Sequence, residues 1–350
     1  MSLLNMLIHW QENHAYLVLG IFLACTVMFI PGMMQTETIV ALENMMPPTT
    51  ESVETANMLR NQGLPFDSFA IKLRVGTSNK QTQPQTIQGI TMYIERLSKD
   101  LLEIHGVTNV LTPLENPSFI DESKRTGVIT LQGYQGDDGE EIARIFEEIQ
   151  DELLVRQPRG VETTIVGVPA VQQELSTIVN KDTVNTGVLS IILVFLITLA
   201  IFKGSLTAAT MPILIVLFSV VWLYGTIGYL GIPLSTLAGS VAALVIGIGV
   251  DYSIHILNTY KHFRKKTGIR ESLDKAVQET GLAILFTSIT TISAFLSFIA
   301  GSMPEMTRFG VIMSLGIFYA LLLSFVLLPA LFVIEDDIMV YVKGRVEERR

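Results

Sequence analysis

An aspartate interrupts a long apolar run near the middle of the sequence. Asp251 follows the residues Val-Ala-Ala-Leu-Val-Ile-Gly-Ile-Gly-Val; Tyr252 comes next, and His255 lies one helical turn later. An acidic side chain near the centre of a membrane helix costs about 2.5 to 3.5 kcal/mol, so such a residue usually marks an ion or substrate path. A carboxyl group removed from water is also suited to reversible protonation near neutral pH. These residues therefore indicate transport coupled to a proton.

Small residues recur before Asp251 at intervals of four. Residues with this spacing lie along one slowly drifting face of a helix. Their small side chains would let a neighbouring helix approach closely, shield Asp251 from lipid and bring polar groups to it. The alternative is an aspartate that bonds helix hydroxyls and has no transport role. The face comprises Gly239, Ala243, Gly247, Asp251 and His255, and Gly249 is a further small residue beside the site.

Hydroxyl groups on the next apolar segment are the candidate partners of Asp251. Thr287 and Thr291 are favoured, because buried polar groups need hydrogen bonds. Such hydroxyls can instead bond carbonyls of their own helix. His255 could pass a proton toward the cytoplasm, or simply lie among the headgroups at the helix end. At 1.5 Å per residue, Asp251 lies roughly 27 Å beyond Pro233 and is reached mainly from the cytoplasm.

Six apolar segments are long enough to cross a hydrocarbon core of about 30 Å. Hydrophobic residues make up 49% of the chain, which with these segments favours a membrane protein over a soluble enzyme. No Lys or Arg precedes the first segment, so residues 1–33 are interpreted as an interfacial segment and a retained first span. The predicted spans, one followed by a gap and then five, are residues 15–33, 187–202, 206–230, 234–257, 282–301 and 309–334.

Basic residues predict the orientation of these spans. They cluster at residues 258–280, an amphipathic loop, and in the tail at 335–350, and short cytoplasmic loops collect Lys and Arg. Both termini are then cytoplasmic, the bundle occupies residues 184–334, and residues 34–183 lie outside a plasma or inner membrane. That outer segment holds 22 acidic and 12 basic residues, so nucleic acid is not expected as a partner, whereas membrane lipids are.

The outer segment has the pattern of an α+β domain. Alternating apolar residues predict strands, and apolar residues at intervals of three and four predict helices. Two βαβ units in tandem favour a ferredoxin-like, split βαβ sandwich. We find no catalytic or metal-ligand spacing, so neither an enzyme nor a cofactor is predicted. The strands are expected at residues 69–75, 107–111, 127–133 and 161–166, and the helices at 50–62, 84–104 and 139–155.

Short motifs around the fourth and sixth spans resemble the resistance-nodulation-division superfamily. Three segments are similar to motifs of its hydrophobe-exporter branch: Gly-Ile-Gly-Val-Asp251-Tyr252-Ser-Ile-His255, Arg308-Phe309-Gly310 and Leu328-Pro329-Ala330-Leu331. That branch includes MmpL-type lipid exporters and relatives of sterol-sensing-domain proteins. The resemblance implies a proton-coupled exporter of hydrophobic or lipid-like molecules, with Asp251 and Tyr252 as the proton-coupling pair and an outside porter domain.

Two departures from that family pattern shape the hypothesis. Members usually carry two such halves in one chain, whereas this sequence has one, so the resemblance implies a homodimer whose fourth helices face each other about a twofold axis. The intramembrane Lys of the multidrug branch is also missing, which leaves sodium open as the coupling ion beside the proton. A SecF-type protein-export auxiliary and a non-transporting lipid or sterol sensor are the alternative functions.

Overall fold

The computed structural model describes residues 11, 13–36, 47, 49–51, 54, 58, 68–76, 87–121, 125–132, 139–155, 157–234 and 236–348. The chain forms two compact units, one of Met1–Ile39 with Val179–Arg350 and one of Val40–Ile178. The helices are α1 (Ala15–Met34), α2 (Thr91–Leu102), α3 (Gly139–Val155), α4 (Val168–Ile201), α5 (Leu206–Tyr229), α6 (Val241–Arg264), α7 (Ile269–Ala276), α8 (Leu282–Leu296) and α9 (Pro304–Glu348). The strands are β1 (Phe69–Val75), β2 (Asn109–Leu111), β3 (Ile120–Asp121), β4 (Thr126–Gln132) and β5 (Val161–Val166).

The first unit is a bundle of apolar helices. Among the described residues, six helical stretches are long and apolar enough to cross a membrane, so the chain is a multi-pass membrane protein. A π-helical turn, Val277–Gly281, joins α7 to α8, and the fifth stretch therefore runs as Ile269–Ala300. The six stretches are α1, α4, α5, α6, Ile269–Ala300 and Pro304–Ile338.

Helix α9 lies at the centre of the bundle, in contact with α1, α5, α6 and α8. Helices α1 and α5 meet closely because glycines remove side chains from their interface: a Cβ atom at Gly228 would overlap the carbonyl of Gly32. Beside this contact, the Trp222 ring stacks between those of Phe22 and Phe29 at centroid distances of 5.4 and 5.3 Å. Small residues and one large aromatic thus fix the first span against the third.

Several predicted span boundaries differ from the observed ones, most at the starts of the second and fifth spans. The fourth span was predicted to begin at residue 234, but a 3-10 turn, Thr236–Ser240, comes first and α6 begins at Val241. That prediction was wrong, because apolar content does not distinguish α-helix from the tighter 3-10 geometry. Asp251 consequently lies roughly 15 Å along α6. Helix α4 begins at Val168, ahead of the apolar stretch predicted at residues 187–202, and its first turns are polar.

The second unit contains a five-stranded antiparallel sheet. Its order is β2-β4-β1-β5, and β3 pairs with β4. Ile71 and Leu73 of β1 are fully buried against the apolar residues of α2 and α3. Helix α3, β1 and β5 have the predicted bounds, whereas β3 was not predicted. The helix predicted at residues 50–62 lies largely outside the described residues.

Candidate functional site

An exposed stripe runs along α6 and contains Asp251. Its members recur at intervals of three and four, which places them on one side of the helix. Helix α4 borders one edge, because its Ile191 and Val194 pack with Ile246 and Val250 of α6 and Val216 of α5. The stripe consists of Leu244, Gly247, Asp251, His255 and Asn258.

The carboxylate of Asp251 is exposed, and it takes part in none of the ion pairs formed between described residues. This exposure occurs in the middle of an apolar helix that is long enough to span a membrane. A charge at that depth is stable only beside water, a polar partner or a bound cation, or after protonation. The described residues alone therefore leave Asp251 without the partners that a hydrocarbon environment demands.

Three consecutive polar residues of α6 face three different surroundings, because successive helix positions differ by about 100°. Asp251 faces outward, whereas Tyr252 is 7% exposed and its side chain interacts with that of Ser288 on α8. The Ser288 hydroxyl is fully buried and makes no hydrogen bond of standard geometry with a described residue. Ser253, also fully buried, has its Oγ 2.9 Å from Oγ of Ser324 on α9. Protonation at one position can thus affect contacts with both neighbouring helices.

Ser253 and Ser324 were not singled out from the sequence, whereas Ser288 was among the candidate hydroxyls of the fifth apolar segment but was not favoured. Their signal is a serine within an apolar segment, but many such serines only bond their own helix. Which of these serines face another helix depends on how each helix is rotated about its own axis in the bundle. The adjacency of Ser253 to the Asp251-Tyr252 pair is the one sequence clue that could have pointed to it.

The threonines predicted as partners of Asp251 bond their own helix instead. Thr287 Oγ1 donates to the carbonyls of Ala283 and Ile284, each at 3.0 Å, and Thr291 Oγ1 donates to the carbonyl of Thr287 at 2.8 Å. The structure thus matches the alternative left open for these hydroxyls. A hydroxyl that donates to a carbonyl still has a free acceptor lone pair, so Thr287, which is exposed, can still accept a hydrogen bond from water.

The small residues spaced before Asp251 do not all face one neighbour. A Cβ at Gly239 would lie 3.3 Å from Thr183 Oγ1 of α4, whereas one at Gly249 would lie 2.8 Å from Cβ of Ala320 in α9. Ala243 is half-buried, and a Cβ at Gly247 would meet no described atom within 4 Å. Within the described protomer, the helix expected to shield Asp251 is therefore missing beside Gly247.

His255 lies one turn beyond Asp251 on the same stripe and is exposed. Further along α6, two of its side chains anchor the helix to α9. The Tyr260 hydroxyl donates to Asp336 Oδ2 at 2.7 Å, and Arg264 Nε donates to the same oxygen at 2.9 Å. The Tyr260 ring also stacks on that of Phe332 at 4.3 Å. The α6 segment that carries Asp251 and His255 is thus anchored at its C-terminal end and uncovered along one side.

Comparison with known proteins gives a family match and several relatives. The family model described as "MMPL family" matches residues 44–349. A membrane protein of Methanocaldococcus jannaschii is 27% identical over 96% of this chain and 94% of its own length. Membrane protein YdfJ of Bacillus subtilis is 24% identical over 85% of this chain and 40% of its own length. The hopanoid transporter HpnN of Rhodopseudomonas palustris is 28% identical over 51% of this chain and 21% of its own length. The chain thus spans nearly all of the first relative but less than half of the other two.

Proposed function

The chain belongs to the MMPL family, and we propose that it is a proton-coupled secondary active exporter of hydrophobic or lipid-like molecules. Its six apolar helices supply a membrane-embedded body. A relative that is named as a hopanoid transporter supports a lipid-like substrate. The resemblance of the motifs around Asp251 to those of hydrophobe exporters supports the same substrate class.

Asp251 carries the proposal for coupling. It is an exposed acid without an ion-pair partner among the described residues, on a helix long and apolar enough to span a membrane. Because a charge in hydrocarbon is costly, Asp251 would be protonated whenever water leaves the site. It would release the proton when water returns. Tyr252 transmits the change through its contact with Ser288, and His255 lies on the same stripe toward the cytoplasmic end.

A homodimer would complete the site. Among the described residues, no helix covers the stripe at Gly247, and small residues at such a position permit close helix contact. In a twofold dimer, the same stripe from a second copy would face it. Each Asp251 would then approach polar groups of the partner, which is the arrangement implied by the resemblance to two-half exporters.

Topology and the second unit fit this scheme. Basic residues at 258–280 and 335–350 favour cytoplasmic termini in a plasma or inner membrane, with one span, an outside segment and five further spans. The spatial strand order β2-β4-β1-β5, with two helices over one sheet face, supports a ferredoxin-like porter domain. We infer that this domain receives the substrate on the outer side.

The coupling ion can be identified in proteoliposomes under separate gradients. We expect a pH gradient to drive movement of a fluorescent lipid across the membrane, while a sodium gradient at equal pH does not. Asp251→Asn should abolish the pH-driven movement, whereas Asp337→Asn, the same chemical change at an exposed position near the end of the last span, should not. If a sodium gradient alone drives lipid movement, sodium and not the proton is the coupling ion. Lipid movement that needs neither gradient would favour a lipid sensor or passive binding protein.

A further inference from the structure

Three lysines gather at the end of the bundle where α4 meets α5. Lys203 is exposed in the turn between these helices. Lys261 of α6 places its Nζ 5.5 Å from the ring centroid of Phe202, the residue immediately before Lys203. Lys265, the residue that follows the last residue of α6, is exposed and lies four positions after Lys261, on the same side. We call Lys203, Lys261 and Lys265 the lysine patch.

The patch keeps an excess of positive charge. Glu335 of α9 interacts electrostatically with Lys261. The next acid, Asp336, is already bound by Tyr260 and Arg264. Neither Lys203 nor Lys265 takes part in an ion pair between described residues. Of the three lysines, Lys261 alone has a recorded interaction with a carboxylate, so the patch carries a net positive charge that an anion would balance.

An apolar surface leads directly into the patch. The apolar part of α4 is mostly exposed on the described residues, and α4 ends at Ile201, two residues before Lys203. Its outward side chains near that end are about half exposed. They would contact acyl chains in a membrane, while the lysines lie at the level where headgroups begin. The outward side chains are Leu193, Leu196, Ile197 and Ile201.

We propose that the lysine patch and the outward face of α4 bind one anionic phospholipid, with its phosphate among the three ammonium groups and its chains along α4. Lysine ammonium groups form charge-assisted hydrogen bonds with phosphate. The apolar face next to the patch favours a lipid over a free anion, because only a lipid satisfies both surfaces. The site is distinct from Asp251. The topology given under the proposed function would place it in the cytoplasmic leaflet, and only this assignment rests on the proposed function.

The test compares two double variants of the full chain, each of which removes two positive charges. Lys203→Gln with Lys265→Gln removes two lysines of the patch and leaves the half-buried Lys261 in place to hold Phe202. The control, Lys266→Gln with Lys275→Gln, changes one lysine outside the patch and one that already bridges Glu271. The probe is fluorescent phosphatidylglycerol, titrated into purified protein in detergent, with phosphatidylcholine as the neutral probe.

We expect the patch variant to bind phosphatidylglycerol roughly tenfold more weakly than the parent, because each lysine near the surface contributes a several-fold effect. The control should stay within about twofold. Equal losses in both variants, no loss in the patch variant, or equal binding of phosphatidylcholine by the parent would overturn the proposal. Displacement of the lipid by millimolar inorganic phosphate would likewise show an anion site only. Asp251→Asn should bind the lipid like the parent, so failure of the transport mechanism would leave this result unaffected.

Discussion

At the residue scale, the most informative feature is the divergence of Asp251, Tyr252 and Ser253. One faces out of the protomer, one contacts α8 and one bonds a serine of α9. A carboxyl group that gains or loses a proton changes its hydration and hydrogen bonding. Its two neighbours in sequence are positioned to carry that change to two other spans.

The Ser253–Ser324 hydrogen bond can be tested as a pair. Ser253→Ala should lower stability by about 1 kcal/mol, because the buried Ser324 hydroxyl then loses its partner. Replacing both serines by alanine should cost no more than the single change, since neither hydroxyl is then left unpaired. Thermal unfolding in detergent measures both variants. A double variant that loses the sum of the two single effects would show that the hydrogen bond is not what links these positions.

Sequence patterns predicted Asp251 as a site residue but not its surroundings. A charged residue in an apolar run can be recognised from the sequence alone, because its charge is costly in hydrocarbon whichever side of the helix it lies on. Which hydroxyls face a neighbouring helix depends on how each helix is rotated about its axis, and the sequence does not give that rotation. Thr287 and Thr291 were therefore favoured, although both donate to carbonyls of their own helix. Ser288 lies beside Thr287 and faces Tyr252, a difference of one position that periodicity of apolar residues alone could not decide.

At the scale of elements, the prediction was best where the apolar period is strong. Helix α3 and strand β1 have their predicted bounds, since their apolar residues recur at about 3.6 and 2 residues respectively. The start of helix α6 was predicted too early, because the residues between 234 and 240 continue the apolar character of the helix itself. The contacts of its glycines, such as Gly239 with α4 and Gly249 with α9, depend on the packed bundle.

Glycines determine how closely α1 and α5 pack. Gly228→Ala should lower stability by about 1 to 3 kcal/mol, because its Cβ would overlap the backbone of Gly32 and force the helices apart. Gly20→Ala on α1 is the matched control. A Cβ there would meet no described atom within 4 Å, so stability should be unchanged or slightly raised. Equal thermal unfolding of the two variants in detergent would contradict this account of the interface.

At the scale of the whole molecule, the open stripe on α6 predicts contact with a second copy. The dimer can be tested by cross-linking, because Cys25 is the only cysteine and can be replaced by serine. Gly247→Cys should then form an intermolecular disulfide in membranes, since that position lacks a described neighbour in the protomer. Leu193→Cys, on the exposed face of α4, should remain reduced under the same conditions. Cross-linking at residue 193 but not at 247 would exclude an α6–α6 interface.

The central claim is that Asp251 is the group that takes up the proton during transport. The most direct measurement follows lumenal pH in proteoliposomes with an entrapped dye, after a substrate lipid is added under an imposed pH gradient. We predict proton flux with the parent and with Asp337→Asn, and flux at the level of protein-free liposomes with Asp251→Asn, at equal amounts of inserted protein. Proton flux in Asp251→Asn equal to that of the parent would contradict the account.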